Sequence, residues 1–88
     1  MDSETAKEVA IQILRHELRI PSNQDIRSSS FFFADLGLDS DDVSFIFIPA
    51  IEKHFTIKLS FGEWEKIGSI DDLIKTLIER GIVSSPKN

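Results

Sequence analysis

The sequence predicts an all-α fold: a small bundle of three main helices plus one short helix, with a long first loop. Three observations predict it. Apolar residues recur at helical spacing in residues 4–19, 40–55 and 69–80. Residues that cap or stop helices stand at the ends of these segments. Ile57 and Leu59 alternate with polar residues as in a strand, but no partner strand is evident.

The first helix is predicted over residues 4–19, because apolar side chains recur there at intervals of three and four residues. Asp2 or Ser3 can cap its start. Pro21 is expected to end it, since the residue before a proline is pushed out of the helical conformation. The stripe consists of Ala6, Val9, Ala10, Ile13, Leu14 and Leu18.

Residues 20–39 form a connection that would be unusually long for a compact domain if nothing held it in place. Three consecutive phenylalanines, Phe31, Phe32 and Phe33, are expected to anchor it. Phe32 is assigned to the core. For Phe31 and Phe33 two interpretations stay open: they pack into the core or anchor the loop, or they line a binding surface.

The second helix is predicted over residues 40–55, capped by Asp39 or Ser40. Its apolar surface is wider than one stripe, so the helix is central to the bundle or keeps a spare apolar face. Pro49 lies inside it, and a mid-helix proline costs about 3 kcal/mol if the helix stays regular. We therefore expect a kink or bulge near Pro49. The apolar residues are Val43, Phe45, Ile46, Phe47, Ile48, Ala50, Ile51 and Phe55.

The C-terminal part predicts a short helix over residues 62–66, stopped at Gly68, and a last helix over residues 69–80. Ser69 to Asp72 form a variant capping box, with aspartate in place of the usual glutamate, and Gly81 is a typical helix stop. One domain is expected over residues 1–83. The tail, residues 84–88, is expected to be disordered.

The composition excludes several classes of function. The net charge is −5, whereas nucleic-acid affinity depends on lysine and arginine. There is no cysteine, and no group of His, Asp and Glu has metal-ligand spacing, so no metal site is predicted. No pairing of nucleophile, acid and base is evident, so no enzyme activity is expected. The chain has no segment apolar enough to span a membrane and no signal peptide, so we expect a cytoplasmic protein.

The acidic residues are unevenly distributed. Residues 35–52 contain five carboxylates and no lysine or arginine, which predicts a local negative field that attracts basic surfaces. Acidic residues also suit the start of a helix, and this alternative explanation stays open. The five residues are Asp35, Asp39, Asp41, Asp42 and Glu52.

The stretch Asp35-Leu36-Gly37-Leu38-Asp39-Ser40 resembles the D-L-G-x-D-S signature of acyl carrier proteins, and the resemblance extends over about residues 5–81. It implies an acyl-carrier-like bundle in which Ser40 bears a 4'-phosphopantetheine arm, with Asp39 in the flanking motif. It also implies that a phosphopantetheinyl transferase joins the arm from coenzyme A. The arm would present acyl or aminoacyl groups, as thioesters, to acyl-transferring or acyl-activating enzymes with basic surfaces.

Under this resemblance, partner recognition is assigned to Asp35, Asp41, Asp42, Phe45 and Glu52. A monomer is expected. The resemblance leaves open whether the pathway makes lipids, secondary metabolites such as polyketides, peptides or envelope components.

The chain departs from the family pattern in three ways. Asp41 follows the serine, where the family usually has a leucine that docks into partner enzymes. Phe45 stands where many members carry an acidic residue. The interval from Ser40 to the aromatic Phe55 is one residue longer than the common pattern, and we expect the extra residue inside the helix near Pro49. These departures keep one alternative open: an unmodified carrier-like module that binds proteins through an acidic and aromatic second helix.

Overall fold

The computed structural model describes residues 1–85, and within that range it confirms the all-α prediction. The second helix runs without interruption through two α-helical parts and a π-helical segment between them. The elements are α1 (Ser3–Glu17), α2 (Ser40–Asp42), the π segment (Val43–Phe47), α3 (Ile48–Phe55), α4 (Phe61–Glu65) and α5 (Ile70–Glu79).

Helix α1 is capped by Asp2, whose carboxylate accepts a 2.7 Å hydrogen bond from the Thr5 amide. Small residues on its buried face, Ala6 and Ala10, allow close packing in the core. The helix ends two residues earlier than the sequence predicts. Arg19 adopts a left-handed conformation with φ 53°, and this turn stops the helix before Pro21 can.

The second helix is distorted next to Pro49, as predicted, but the distortion lies in the preceding turn. The Ile48 amide donates to the carbonyl of Val43, five residues back, which is the hydrogen bond of a π turn. Pro49 directly follows the π turn inside the continuous helix, and it has no amide to donate to the preceding turn.

The π turn affects which residue of the preceding turn, Val43 or Ser44, faces the core. Counting back seven residues, or two helical turns, from the buried Ile51 leads to the polar Ser44. The structure instead buries Val43, one residue earlier, and leaves Ser44 exposed. The wide turn accommodates the extra residue, and the interval from Ser40 to Phe55 is thereby lengthened inside the helix, where the sequence predicts it.

The first loop is held by the start of α5. The Phe32 amide donates to the carbonyl of Gly68, and the Asp71 amide donates to that of Ser28, each at 2.9 Å. The Phe32 ring is buried and meets the Phe47 ring edge-on, with 5.5 Å between centroids. This pair joins the loop to the π segment.

Of the three phenylalanines in the loop, only Phe32 enters the core. Phe31 and Phe33 are each 53% exposed, so the core interpretation is wrong for both. Consecutive residues of this turn point in different directions, and one of three rings is enough to anchor it. For Phe31 and Phe33 the two remaining interpretations are that they anchor the loop or that they line a binding surface.

Helix α4 starts one residue earlier than predicted and is closed at its N-terminus by a capping box. Ser60 accepts from the Glu63 amide, and the Glu63 carboxylate accepts from the Ser60 amide. The same carboxylate pairs with Arg80, beyond the end of α5. None of the residues of α4 is fully buried, and the half-buried Trp64 supplies its apolar contact with the core.

Helix α5 is capped by Ser69, but its capping box is only half formed. Ser69 accepts from the Asp72 amide, whereas the Asp72 carboxylate reaches the amide of Gly68 rather than that of Ser69. Aspartate is shorter than the usual glutamate, and its carboxylate bonds the residue before the cap, Gly68. This bond ties the α4–α5 connection to the helix. Gly81 ends the segment with φ 75°, as predicted.

The first two residues pair with Ser84 at the surface. Asp2 and Ser84 form an isolated bridge, and the Ser84 amide donates to the Met1 carbonyl at 3.0 Å. Ser84, assigned to the tail by the sequence, is therefore paired; residues 86–88 lie outside the described range. Within residues 1–85, no helix combines the length and the apolar character that crossing a bilayer requires.

Candidate functional site

The signature stretch is built on a tight turn that precedes the second helix. The Asp35 carboxylate accepts a 2.7 Å hydrogen bond from the Phe31 amide, so this aspartate closes the turn. The Gly37 amide donates to the carbonyl of Phe33, and Gly37 has φ 63°, a conformation that glycine adopts without strain. The turn therefore explains both Asp35 and Gly37 structurally.

Asp39, and not Ser40, caps the second helix. Its carboxylate accepts a 2.8 Å hydrogen bond from the Asp41 amide, and its carbonyl accepts from the Val43 amide. Ser40 is the first helical residue and is exposed. Because Asp39 performs the capping, the Ser40 hydroxyl is not needed for it and lies at the surface, accessible to another molecule.

The carboxylates around Ser40 are open to solvent. Asp35, Asp39, Asp41 and Asp42 are all exposed, and they lie in the turn or the first helical turn. No basic residue stands between Asp35 and Glu52 in the chain. The end of the second helix that bears Ser40 therefore combines a free hydroxyl with closely spaced negative charges, an arrangement that attracts a basic surface.

Phe45 is the most exposed apolar residue of the second helix, with 76% of its surface accessible. It lies in the π segment between the buried Val43 and Phe47, and its neighbour Ile46 is 39% exposed. The wide apolar surface predicted for this helix is thus divided: one side fills the core and the other faces solvent.

Glu52 is placed apart from the other predicted recognition residues. It lies twelve residues from Ser40, roughly 18 Å along a helix. Its carboxylate is half-buried and accepts hydrogen bonds from the Leu59 amide at 3.1 Å and from the Trp64 indole at 3.5 Å. Its evident task is to hold the connection between α3 and α4. No sequence signal distinguishes this from a free surface carboxylate.

A groove that sequence reasoning missed lies between α1 and α3. It has a volume of about 1120 Å³ and contains both histidines, His16 and His54. It borders Ala50 and Lys53 rather than the start of α2, so it is separate from the Ser40 surface. In residues 1–85, no group of three or more His, Asp and Glu side chains is arranged to hold a metal ion.

Two comparisons with known proteins relate this architecture to a family; no protein-family model matches the chain. The chain is similar to the acyl carrier protein of Chlamydia muridarum (strain MoPn / Nigg). The two are 34% identical over 59 residues, which cover 67% of this chain and 75% of that protein.

A solved structure has the same fold. It is that of a candidate acyl carrier protein from Mycobacterium tuberculosis, with a TM-score of 0.71 and 23% identity, covering 85% of this chain and 97% of the other. The chain belongs to the acyl carrier protein family.

Proposed function

We propose that this protein carries acyl or aminoacyl groups as thioesters on a 4'-phosphopantetheine arm attached to Ser40. The observation that carries the proposal is the division of tasks at the helix start. Asp39 satisfies the Asp41 amide, and Ser40 is left exposed with no capping role. Membership of the acyl carrier protein family supports the same assignment.

The residues at this position suit the group chemically. The Ser40 hydroxyl can form a phosphodiester, and its exposure leaves room for a modifying enzyme to approach. When bound, the arm supplies a terminal thiol that forms thioesters. Asp39 holds the first turn, and the turn around Gly37 holds the backbone in front of Ser40. The protein itself supplies no catalysis in this proposal; a phosphopantetheinyl transferase takes the arm from coenzyme A.

The partners we propose are this transferase and acyl-transferring or acyl-activating enzymes with basic surfaces. The exposed carboxylates of Asp35, Asp41 and Asp42 would attract them, and the exposed Phe45 would add an apolar contact. Glu52 contributes to the negative field only weakly, since its carboxylate is directed to Leu59 and Trp64. We place this monomeric carrier in the cytoplasm, where coenzyme A is available.

The test is to incubate the purified protein with coenzyme A and a broad-specificity phosphopantetheinyl transferase, and to measure the intact mass. We expect one added arm, mapped by peptide analysis to Ser40. Ser40→Ala should fold normally and gain no mass, because the hydroxyl makes no cap. An arm on another residue, or no added mass with several transferases, would contradict the proposal.

A second candidate is a carrier-like module that binds proteins without being modified. The observation that favours it is Asp41, which stands where the family usually has a docking leucine. In that case the wild-type protein would remain unmodified in the test above. Isolating the protein from its native cells and finding only the unmodified mass would support this candidate over the carrier.

A further inference from the structure

The π turn determines which residue stands at the exposed start of the second helix. It contains one residue more than a regular helical turn, so every residue before it takes the place that a regular helix would give to the next residue in the chain. Val43 thereby takes the buried place that a regular helix would give to Ser44. By the same step, Ser40 takes the place of Asp41.

In a regular helix the Ser40 side chain would have a different direction. Ser40 lies eleven residues before Ile51, which is three helical turns, so the two side chains would share one side of the helix. That side faces the core, because Phe47 and Ile51 are fully buried. The extra residue rotates the start of the helix by about 100°, the share of one residue in a helical turn. Ser40 is accordingly exposed.

The same shift decides which residue caps the helix. Asp39 and Ser40 are neighbours, and both are of a type that caps helices. In the observed register the Asp39 carboxylate accepts from the Asp41 amide, so the Ser40 hydroxyl stays free. In a regular helix Ser40 would stand where Asp39 now lies, and its hydroxyl would accept from an amide of the first turn. The π turn thus separates the capping group from the hydroxyl.

Two features favour the observed register over the regular one. Burial of Val43 removes an apolar side chain from water, whereas a regular helix would bury the hydroxyl of Ser44. The loop in front of the helix is also held, because the Leu38 amide donates to the carbonyl of the buried Phe32 at 3.0 Å. The choice between Val43 and Ser44 as the buried residue therefore fixes the position of Ser40.

We propose that the π turn is a positioning device: by burying Val43, it places Ser40, and not Asp41, where the phosphopantetheinyl transferase reaches it. The inference rests on the proposed function and adds a residue that selects the modified position. Val43 is a positioning residue, because it is buried in the core and acts only through the register of the helix.

The test uses two exchanges of neighbouring residues, which leave the composition, the mass and the net charge of the chain unchanged. The core exchange, Val43→Ser with Ser44→Val, makes position 44 the apolar one and favours a regular helix. The site exchange, Ser40→Asp with Asp41→Ser, moves the hydroxyl one residue along the chain. Each protein is incubated with coenzyme A and a broad-specificity phosphopantetheinyl transferase. The rate is measured by intact mass, and the arm is located by peptide mapping.

Either exchange alone should lower the rate of modification at least about tenfold, because the hydroxyl is displaced from the position that the transferase reaches. The two exchanges together should restore most of the rate, with the arm at position 41. A purely structural role of Val43 predicts no such rescue, since the combined variant contains the same change in the core as the core exchange.

Deletion of Ser44 is the matched control, because it removes the π turn and leaves Ser40 in place. In the shortened helix Val43 lies seven residues, or two turns, before the residue that is now Ile51, so it stays buried in a regular helix. This variant should be modified at Ser40 at close to the wild-type rate. Circular dichroism should show that each variant is helical, and the amide chemical shift of Ile48 should report the loss of the π turn.

If the core exchange does not fold, Ser44→Val alone takes its place, because it keeps Val43 and lets either register bury a valine. Combined with the site exchange, it should raise the rate at position 41 several-fold over the site exchange alone. An unchanged rate would contradict the inference.

The outcomes separate this inference from the proposed function. If the core exchange has a regular helix and is modified at Ser40 as fast as the wild type, the register does not select the residue, and the inference is wrong while the carrier function stands. If the core exchange keeps the π turn, burial of Val43 does not set the register, and the inference is equally wrong. If the wild type itself gains no arm, the proposed function fails and the inference fails with it.

Discussion

Three residues end their helices in the same way although only one of them is glycine. Arg19, Thr56 and Gly81 have φ values of 53°, 54° and 75°. The next residue is an isoleucine each time, and its amide donates to the carbonyl five residues back. This is the pattern of the Schellman motif. The donor–acceptor pairs are Ile20 with Arg15, Ile57 with Glu52, and Ile82 with Leu77.

Replacing Thr56 by glycine should therefore stabilise the protein. A β-branched residue is strained in the left-handed region, and removing that strain outweighs the extra freedom of glycine in the unfolded chain. We expect Thr56→Gly to raise the free energy of unfolding by about 0.5–1 kcal/mol in urea denaturation. Gly81→Ala is the reciprocal control and should lower it by about 1 kcal/mol. A destabilised Thr56→Gly would contradict the strain.

Glu63 makes the attachment of α4 sensitive to acid. Hydrogen bonds from the Ser60 amide, and then from Arg80, hold its pKa below the usual value of 4.5. The stabilisation from these contacts is complete above the pKa of the unfolded state and is lost as the pH falls through the lower, folded value. We expect α4 to loosen in that acidic range.

The measurement uses Trp64, the only tryptophan, which lies in α4 beside Glu63. Its fluorescence should change as the pH falls below about 4.5, ahead of the loss of helical circular dichroism. In Glu63→Gln the cap remains but the charge is gone, so the early change should disappear. An identical titration in wild type and variant would assign the transition to other carboxylates.

At the level of whole elements, the second helix shows how two local causes can be separated. Both the proline and the extra residue before Phe55 predict a distortion of the helix. The sequence alone does not tell which of the two causes it. In the structure the π-type bond joins Ile48 to Val43 and involves no atom of Pro49. We attribute the π turn to the extra residue, and the variants described next test this against Pro49.

We accordingly expect Pro49→Ala to keep the π turn. The free energy of unfolding should rise, by up to about 3 kcal/mol, because alanine supplies the intrahelical amide that proline lacks. Deletion of Ser44 should instead give a regular α-helix through this region. Backbone NMR chemical shifts and amide hydrogen bonding of Ile48 would distinguish the two. A regular helix in Pro49→Ala would make the proline the cause.

The helices themselves were largely predictable from the sequence. Apolar stripes and capping residues place the last helix within one residue of the observed Ile70–Glu79. The first helix was predicted two residues too long at its C-terminus, because an arginine at position 19 gives no sign of a left-handed turn. The exposure of Phe31 and Phe33 could not be predicted from the sequence either, because it depends on which of the three rings contacts Phe47.

The candidate site was predictable in part, for a related reason. Short-range chemistry places the cap at Asp39 or Ser40, and the structure assigns it to Asp39. The inward direction of Glu52 depends on Leu59 and Trp64, which come close only when α4 has packed. Contacts between distant segments are what a single sequence does not reveal.

For the molecule as a whole, the uneven charge predicts a partner attracted by the Ser40 end. Exposed charges are screened over about 8 Å at physiological ionic strength, so association should slow as salt rises. The double variant Asp41→Lys and Asp42→Lys should reduce the rate of modification by the transferase several-fold and flatten its dependence on salt.

The control requires acidic residues with no structural partner. Asp71 and Asp72 are unsuitable, because Asp71 lies 3.6 Å from Lys7 and Asp72 accepts from the Gly68 amide. Glu65 and Glu79 are exposed, and their replacement by lysine changes the net charge equally. If both double variants slow modification to the same extent, the total charge and not the Ser40 surface governs association.

The bonds that tie Phe32 to Gly68, and Ser28 to Asp71, have a consequence for the growing chain on the ribosome. The loop that positions Ser40 is bonded to residues that are translated 36 and 43 positions after their partners, Gly68 after Phe32 and Asp71 after Ser28. Until the last helix has emerged and docked, the serine is present but its surroundings are not assembled. Under the proposed function, a newly made chain would become a substrate for the transferase only when it is nearly complete, so that truncated products are left unloaded.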